Sequence, residues 1–159
     1  MLAAVASAEA DMAVARASLM RDIQALLTPE QAERMVKEHY KDPRTFHSPS
    51  GVRTLSKMEK MYSLRASANP SNWRGPVWGV SDYMLFRGLA DYGYQEEARE
   101  MAIKTLMLFG RDFEKNGALH EYYEPETGEP MCNIGFQNWN YLVLNMIAWL
   151  EEDKVIQEF

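Results

Sequence analysis

Apolar residues recur at helical spacing along most of the chain, and the breaks between them predict five helices. Good helix formers (Ala, Leu, Met and Arg) dominate residues 2–27, which predicts the first helix. Thr28 can then serve as an N-cap, Pro29 suits a first turn, and Gln31 can close a capping box. The second helix is therefore expected to begin here, with a buried stripe formed by Ala32, Met35, Val36 and Tyr40.

The periodicity stops between residues 41 and 72, where Pro, Gly and Ser are frequent. A loop of this length is uncommon in a compact domain, and Phe46, Tyr62 and Leu64 indicate that it packs over other residues. Helices are predicted next over residues 77–92 and 95–116, each followed by a Gly stop signal. Residues 118–134 are expected to form a loop or short hairpin, and residues 136–152 the last helix.

These helices lie in succession without strands alternating between them, which predicts an all-α fold of antiparallel helical hairpins. We expect one domain over residues 1–159. An odd number of helices cannot close a ring of hairpins. The chain is therefore expected to be part of a larger assembly of helices.

Charge and cysteine content exclude several classes of protein. The net charge of -6 argues against a nucleic-acid partner, which needs a dense basic patch. Cys132 is the single cysteine, so an internal disulfide is impossible and a cytoplasmic location is expected. No apolar run approaches the roughly 18–20 residues of a membrane span. The three histidines have no metal-ligand spacing, and we expect neither a metal nor a cofactor.

Residues 69–78 form the first segment with candidate chemistry. Trp73 and Trp78 offer apolar faces to the C–H surface of a sugar ring, and Arg74 offers forked donors to hydroxyls or a carboxylate. Gly75 allows close approach of the backbone. An alternative of about equal weight is that both tryptophans are core residues before a helix.

Residues 119–130 form the second segment, with four Glu, two Tyr and one His. A carboxylate flanked by aromatic rings suits the role of general base, because partial removal of water makes it more basic. Glu121 lies in the apolar half, whereas Glu124, Glu126 and Glu129 lie in the turn-like, solvated half. From residue type alone, a surface charge is the more frequent role for any one of them.

The order of motifs along the chain resembles the C-terminal half of glycoside hydrolase family 63. The motifs are Asn72-Trp73-Arg74-Gly75-Pro76-Val77-Trp78, Tyr83 to Leu89, Glu121-Tyr122-Tyr123-Glu124-Pro125 with Thr127-Gly128, and Gly135-Phe136 with Trp139-Asn140. That family includes mannosyl-oligosaccharide glucosidases and the bacterial glucosylglycerate and mannosylglycerate hydrolases. The chain is similar, more distantly, to the trehalases of family 37. The resemblance covers roughly residues 26–150.

The resemblance implies a partial (α/α)6 toroid that hydrolyses an α-glucoside or α-mannoside with inversion. It implies Glu121 as the general base, and Trp73, Arg74 and Trp78 as residues of the sugar pocket. Gly75, Tyr123 and Trp139, from the same motifs, are added as substrate-binding residues.

The family's general-acid Asp lies upstream of the Trp-Arg-Gly-Pro motif, and no residue of this chain matches it. We therefore expect the N-terminal half of the barrel to come from the same longer chain or from a partner subunit. Two alternatives stay open. One is a non-catalytic carbohydrate-binding or helical interaction module, and the other is a helical scaffold without a ligand.

Overall fold

The structure is a computed structural model that describes residues 26–65 and 70–152. The helix predicted over residues 2–27 lies almost entirely outside these residues. The chain divides between Met35 and Val36 into two compact units, residues 1–35 and 36–159.

In the described part of the first unit, one short helix follows a capping box. Helix α1 spans Pro29–Met35. The Gln31 N–H donates to Thr28 Oγ1 at 3.3 Å, and the Thr28 N–H donates to Gln31 Oε1 at 2.8 Å. The predicted start of this helix is therefore confirmed. Met35 is 52% exposed, so its predicted burial is wrong: the α-helical stripe ends with the helix at this residue.

The second unit is built mainly from helices, as predicted. A π-helical turn over Val36–Tyr40 precedes two strands of two residues each, β1 and β2. Three α-helices and a 3-10 turn follow. In order the elements are β1 (His47–Ser48), β2 (Gly51–Val52), α2 (Gly79–Asp91), α3 (Gln95–Asn116), the 3-10 turn (Asn138–Leu142) and α4 (Val143–Glu152).

The predicted bounds of α3 are confirmed, and Gly93 (φ 85°) and Gly117 (φ 72°) follow α2 and α3 as predicted. Helix α2 begins two residues later than predicted, because Val77 pairs with another segment instead of joining the helix. The last helix begins late because a tighter 3-10 turn replaces its first part.

Helices α2, α3 and α4 pack around one apolar core. Phe86 of α2, Met101 of α3 and Met146 of α4 are each fully buried there. Helices α2 and α3 are in contact and joined by three residues, as expected for an antiparallel hairpin. Trp149 joins this core through an edge contact with Phe86 at 5.3 Å between ring centroids.

The long loop is packed, as predicted, and a buried arginine organises it. Arg53 is 2% exposed, and its guanidinium donates to the carbonyl groups of His47, Thr45 and Pro43. The same group donates to Glu126 Oε1 at 2.6 Å. The loop that follows β2 is thus tied both to itself and to the segment around Glu126.

A ladder of single bridges joins three segments that are far apart in sequence, and its last bridge closes a local turn within the third segment. Arg53 pairs with Val77, Val77 with Tyr123, and Tyr123 with Pro130, all antiparallel. The apolar pattern contains no signal for this ladder, because each bridge joins a single pair of residues. It brings the residue after β2, the residues before α2 and the segment after α3 to one place.

A buried carboxyl group lies under β2 and makes the stability of the fold depend on pH. Asp82 is 0% exposed and accepts hydrogen bonds from the Val52 N–H at 2.7 Å and from Thr105 Oγ1 at 3.0 Å. Burial, only partly offset by these hydrogen bonds, raises the pKa of Asp82 to about 7. A side chain on Gly51 would lie 2.5 Å from this carboxylate, so only glycine fits there.

We expect Asp82→Asn to flatten the pH dependence of stability between about pH 4 and pH 7. Over this interval the folded protein keeps a proton on Asp82 that the unfolded chain releases. The free energy of unfolding therefore falls as the pH rises, by roughly 4 kcal/mol at most. Urea denaturation of both proteins across this interval measures the slopes. Equal slopes would contradict the protonation of Asp82 in the folded protein.

Candidate active site

The two segments with candidate chemistry lie side by side. The Val77 N–H donates to the Tyr123 carbonyl at 2.9 Å, and the Tyr123 N–H donates back to the Val77 carbonyl at 2.9 Å. This reciprocal pair fixes the register of the two segments. Trp78 and Tyr122 each lie one residue from the pair, so aromatic rings of one segment meet those of the other.

Glu121 is buried, and both of its carboxylate oxygens accept hydrogen bonds. It is 4% exposed. Ser71 Oγ donates to Oε1 at 2.6 Å, and the Asn133 amide donates to Oε2. Within residues 26–65 and 70–152, no ion pair involves this side chain. Neutral donors therefore hold the carboxylate in place without neutralising its charge.

A stack of aromatic rings accompanies Glu121. Trp73 stacks on Trp78 with ring centroids 3.8 Å apart and planes inclined by 16°. Trp78 stacks in turn on Tyr122 at 5.2 Å and 26°. Trp78, at the centre, is 1% exposed, whereas Trp73 is 45% exposed. The stack thus presents aromatic surface to the exterior through Trp73.

Trp139 completes this group of rings. Its ring lies 6.1 Å from that of Trp73 and 5.9 Å from that of Trp78. Phe136 lies 5.4 Å from Trp139 on the same segment. The indole N–H of Trp139 is buried and has no hydrogen-bond partner among the described residues. Trp139 therefore belongs to the same aromatic cluster as the two predicted tryptophans.

Two polar ring groups anchor the stack to the loop before α2. Trp78 Nε1 donates to the Asn72 carbonyl at 2.9 Å. Tyr122 Oη donates to the Pro70 carbonyl at 2.6 Å. Burial, with smaller contributions from Cys132 and the charge of Glu121, raises the pKa of Tyr122 to about 12. The Tyr122 hydroxyl therefore remains a donor at neutral pH.

Arg74 and Gly75 shape the loop between the two tryptophans. The Arg74 N–H donates to Asn72 Oδ1 at 3.0 Å, and its guanidinium donates to the Arg65 carbonyl at 3.2 Å. Gly75 has φ 142°, and a Cβ atom there would lie 2.5 Å from the Tyr62 ring. The absence of a side chain at Gly75 thus allows the Tyr62 ring to lie close to the backbone.

Tyr123, predicted to bind substrate, lies inside the protein instead of on the exposed side of the site. It is 0% exposed, and its ring lies 5.7 Å from that of Phe109. Tyr123 Oη donates to Asp112 Oδ2 at 2.7 Å. Its neighbour Tyr122 takes the place in the ring stack. Tyr123 therefore supports the site from behind through its backbone and its hydroxyl.

Asp112 of α3 holds the start of the Glu121 segment. It accepts hydrogen bonds from the backbone N–H of His120 at 2.9 Å, from His120 Nδ1 at 3.0 Å and from Asn116 at 2.8 Å, besides that from Tyr123. Burial acts to raise the pKa of Asp112, but the hydrogen bonds from Tyr123, His120 and Asn116 outweigh it and lower the pKa. Asp112 is thus an ionised anchor for the residue that precedes Glu121.

Sequence reasoning selected Glu121, Trp73, Trp78 and Trp139, and these side chains belong to one region. It missed four residues around them: Ser71, Asp112, Tyr122 and Asn133. Asn133 carried one usable signal, since Asn is a turn residue that tolerates positive φ. The other three required the pairing of distant segments. Among the described residues, no group of three or more His, Cys, Asp or Glu could hold a metal ion.

The sequence profile of one family matches most of the chain. The profile of the mannosylglycerate hydrolase MGH1-like glycoside hydrolase domain matches residues 12–140. The chain therefore belongs to this glycoside hydrolase family, and the resemblance to family 63 is confirmed. A crystal structure of an uncharacterized conserved protein from Thermus thermophilus shares the fold, with a TM-score of 0.54, 22% identity, and coverage of 79% of this chain and 28% of that one.

The chain spans only a small part of its curated relatives. It is 36% identical over 78 residues to mannosylglycerate hydrolase MGH1 of Selaginella moellendorffii, which covers 49% of this chain and 14% of that protein. It is 32% identical over 108 residues to the glucosylglycerate hydrolase of Mycolicibacterium hassiacum, covering 63% of this chain and 22% of that protein. No helix in the described part of the chain is long and apolar enough to cross a membrane.

We expect Tyr123→Phe to lower the free energy of unfolding by about 1–2 kcal/mol, because it deletes a buried hydrogen bond to a charged acceptor. Chemical denaturation measures this change. Tyr141→Phe is the matched control, since Tyr141 is 59% exposed and its hydroxyl bonds only an exposed Gln137. Equal effects of the two substitutions would mean that the Tyr123–Asp112 bond does not stabilise the site.

Proposed function

We propose that this chain supplies the general base and part of the sugar pocket of an inverting α-glycosidase. One observation supports the proposal above all: in a chain of a glycoside hydrolase family, a buried glutamate held by neutral donors lies next to a stack of aromatic rings that is exposed at one end. Glu121 is the proposed base. Trp73, Trp139 and Arg74 are the proposed residues of the pocket. Trp78, which is 1% exposed and stacked between Trp73 and Tyr122, is proposed to support Trp73 from behind.

A general base in an inverting glycosidase removes a proton from the attacking water. Each carboxylate oxygen has two acceptor positions. Ser71 and Asn133 use one position on each oxygen of Glu121, which leaves acceptor positions for a water. Neither of these hydrogen-bond partners is a cation, so no ion pair occupies the carboxylate in place of the water.

An α-linked glucose or mannose is the proposed substrate. The names of the relatives, mannosylglycerate hydrolase and glucosylglycerate hydrolase, support this class. The outer ring of the stack, Trp73, offers an apolar face to the C–H surface of a sugar. The planar guanidinium of Arg74 suits a carboxylate such as that of glycerate. Tyr123 acts indirectly in this proposal, by holding the segment of Glu121.

The general acid is proposed to come from outside this chain. Asp82 has a raised pKa, as a general acid requires, but it is 0% exposed and bonded to Val52 and Thr105 in the core. Asp112 is held as an ionised anchor. An inverting enzyme needs a carboxylic acid that can protonate the leaving oxygen, about 6.5–9.5 Å from its base, and neither Asp82 nor Asp112 is free for that role.

The N-terminal half of an (α/α)6 barrel, in the same longer chain or a partner subunit, is the proposed source of the acid. The chain spans 14% and 22% of two relatives, which supports the presence of further structure in the working enzyme. Large apolar side chains are also left uncovered on the described helices: Met84, Ile103, Met107, Phe113 and Leu144 are 44–70% exposed. A cytoplasmic location, without a nucleic-acid or membrane partner, is part of the same proposal.

Binding without catalysis is the second candidate function. The exposed ring of Trp73 favours it, because a sugar would stack there whatever the role of Glu121. In this alternative Glu121 would be a structural charge that ties together the loops of Ser71 and Asn133. The two candidate functions predict different results when the Glu121 charge is removed: turnover is lost if Glu121 is the base, and there is no turnover to lose if the chain only binds sugar.

We expect Glu121→Gln, in the full length that the gene encodes, to lower kcat on mannosylglycerate or glucosylglycerate by about 10²–10⁴-fold with sugar binding retained. The amide keeps the shape of the side chain but cannot accept the proton of water. Steady-state kinetics and calorimetric titration measure the two effects. Glu129→Gln is the control, since Glu129 forms an exposed ion pair with Lys115. Unchanged turnover in Glu121→Gln would remove Glu121 from the mechanism.

We expect Trp73→Ala to weaken sugar binding by about 1 kcal/mol or more, and Trp73→Phe to recover part of this loss by restoring an aromatic face. Isothermal titration calorimetry with the same sugars measures both variants. If Trp73→Ala binds as tightly as the unchanged protein, the exposed end of the stack is not the sugar platform.

A further inference from the structure

We infer that Ser71 and Asn133 are positioning residues for Glu121, which lock its carboxylate from two sides. This inference rests on the proposed function and deepens it. Ser71 comes from the loop before α2 and donates to Oε1, while Asn133 comes from the segment after Pro130 and donates to Oε2. Two separate loops thus fix one carboxylate, which restricts both the position and the rotation of the group.

The backbone of Asn133 is held in an uncommon conformation. Its φ is 36°, and it is the only non-glycine residue with a positive φ in the part of the chain that the structure describes. Asn tolerates this region better than other residues with a Cβ atom, but the region is sparsely populated even so. An outlier of this kind persists only where the surrounding structure imposes it, and such outliers cluster at functional sites.

Backbone pairing on both sides of Asn133 imposes this conformation. The Glu121 N–H donates to the Cys132 carbonyl at 3.1 Å, and the Gly135 N–H donates to the Leu119 carbonyl at 2.9 Å. The segment of Asn133 is therefore fastened to the segment that carries Glu121. Asn133, with its positive φ, lies between these two backbone hydrogen bonds, and its side-chain amide donates to Glu121 Oε2.

Neutral donors suit the positioning of a base better than a cation would. A carboxylate accepts hydrogen bonds only, so the Asn133 amide must present its N–H₂ group and the Ser71 hydroxyl its proton. A guanidinium in the same place would hold the carboxylate equally well but would compete with water for the proton-accepting charge. A catalytic group held in its productive geometry gains rate, and small displacements are costly.

Substitution of each donor in the full-length protein tests the inference. Asn133→Gly keeps the positive φ and removes the amide, and Ser71→Ala removes the hydroxyl. Each is expected to lower kcat on the order of 10- to 100-fold with KM unchanged. Ser71→Thr keeps the hydroxyl and is expected to keep most of the activity. Asn138→Gly, at an exposed position, is the matched control for the loss of an Asn side chain.

The kcat values of double variants that also carry Glu121→Gln distinguish a positioning role from a merely structural one. If both residues act through Glu121, adding Ser71→Ala or Asn133→Gly to Glu121→Gln lowers kcat no further, because the group that they position has lost its function. Full additivity in the double variants, or a raised KM with unchanged kcat in the single variants, would overturn the inference.

The two proposals fail in different ways. Full turnover in Glu121→Gln refutes the proposed function itself. Loss of turnover in Glu121→Gln, together with unchanged kcat in both Asn133→Gly and Ser71→Ala, refutes only the positioning role. Thermal unfolding of every variant checks that each compared protein is folded. Because the two donors lie on separate loops, an unchanged kcat in the remaining variant contradicts the inference where the other variant does not fold.

Discussion

The reciprocal backbone hydrogen bonds between Val77 and Tyr123 are the constraint on which the site depends. Both residues are fully buried, so their N–H and carbonyl groups must find partners within the protein. The pairing fixes which side chains of the two segments meet. A slip by one residue would turn Tyr123 toward the ring stack and Tyr122 toward Asp112, and would displace Glu121 from its donors.

The charged groups around this ladder are each satisfied in a different way. Arg53 donates to three loop carbonyl groups and to Glu126, while Asp112 accepts from His120, Asn116 and Tyr123. Asp82 accepts from the Val52 N–H and Thr105 Oγ1, and burial raises its pKa to about 7. Glu121 has no cationic partner among the described contacts. What sets Glu121 apart from Asp82 and Asp112 is its place beside the aromatic stack that ends at the exposed Trp73, which is why it is the centre of the proposed function.

The sequence predicted the helices well because their signals are local. The 3.6-residue period defined α3, and Gly93 and Gly117 marked helix ends. The site depended on non-local pairing, which the sequence does not contain. The motif pattern pointed to Tyr123, but only the register with Val77 shows that Tyr122 joins the tryptophans. Likewise, Ser71 and Asn133 donate to Glu121 from two different loops, and the hydrophobic periodicity of the sequence does not predict that these loops meet. Glu121 itself came from a resemblance in motif order, and the family match is in agreement with that resemblance.

A crystal structure of the full-length protein with a bound α-mannoside or α-glucoside tests the central claim most directly. The account predicts that the sugar stacks on Trp73 and that a water, hydrogen-bonded to Glu121, lies on the face of the anomeric carbon opposite the leaving oxygen. A second carboxylate from outside this chain should lie about 6.5–9.5 Å from Glu121, on the leaving-group side. A sugar bound elsewhere, or a Glu121 carboxylate with no water between it and the anomeric carbon, would contradict the account.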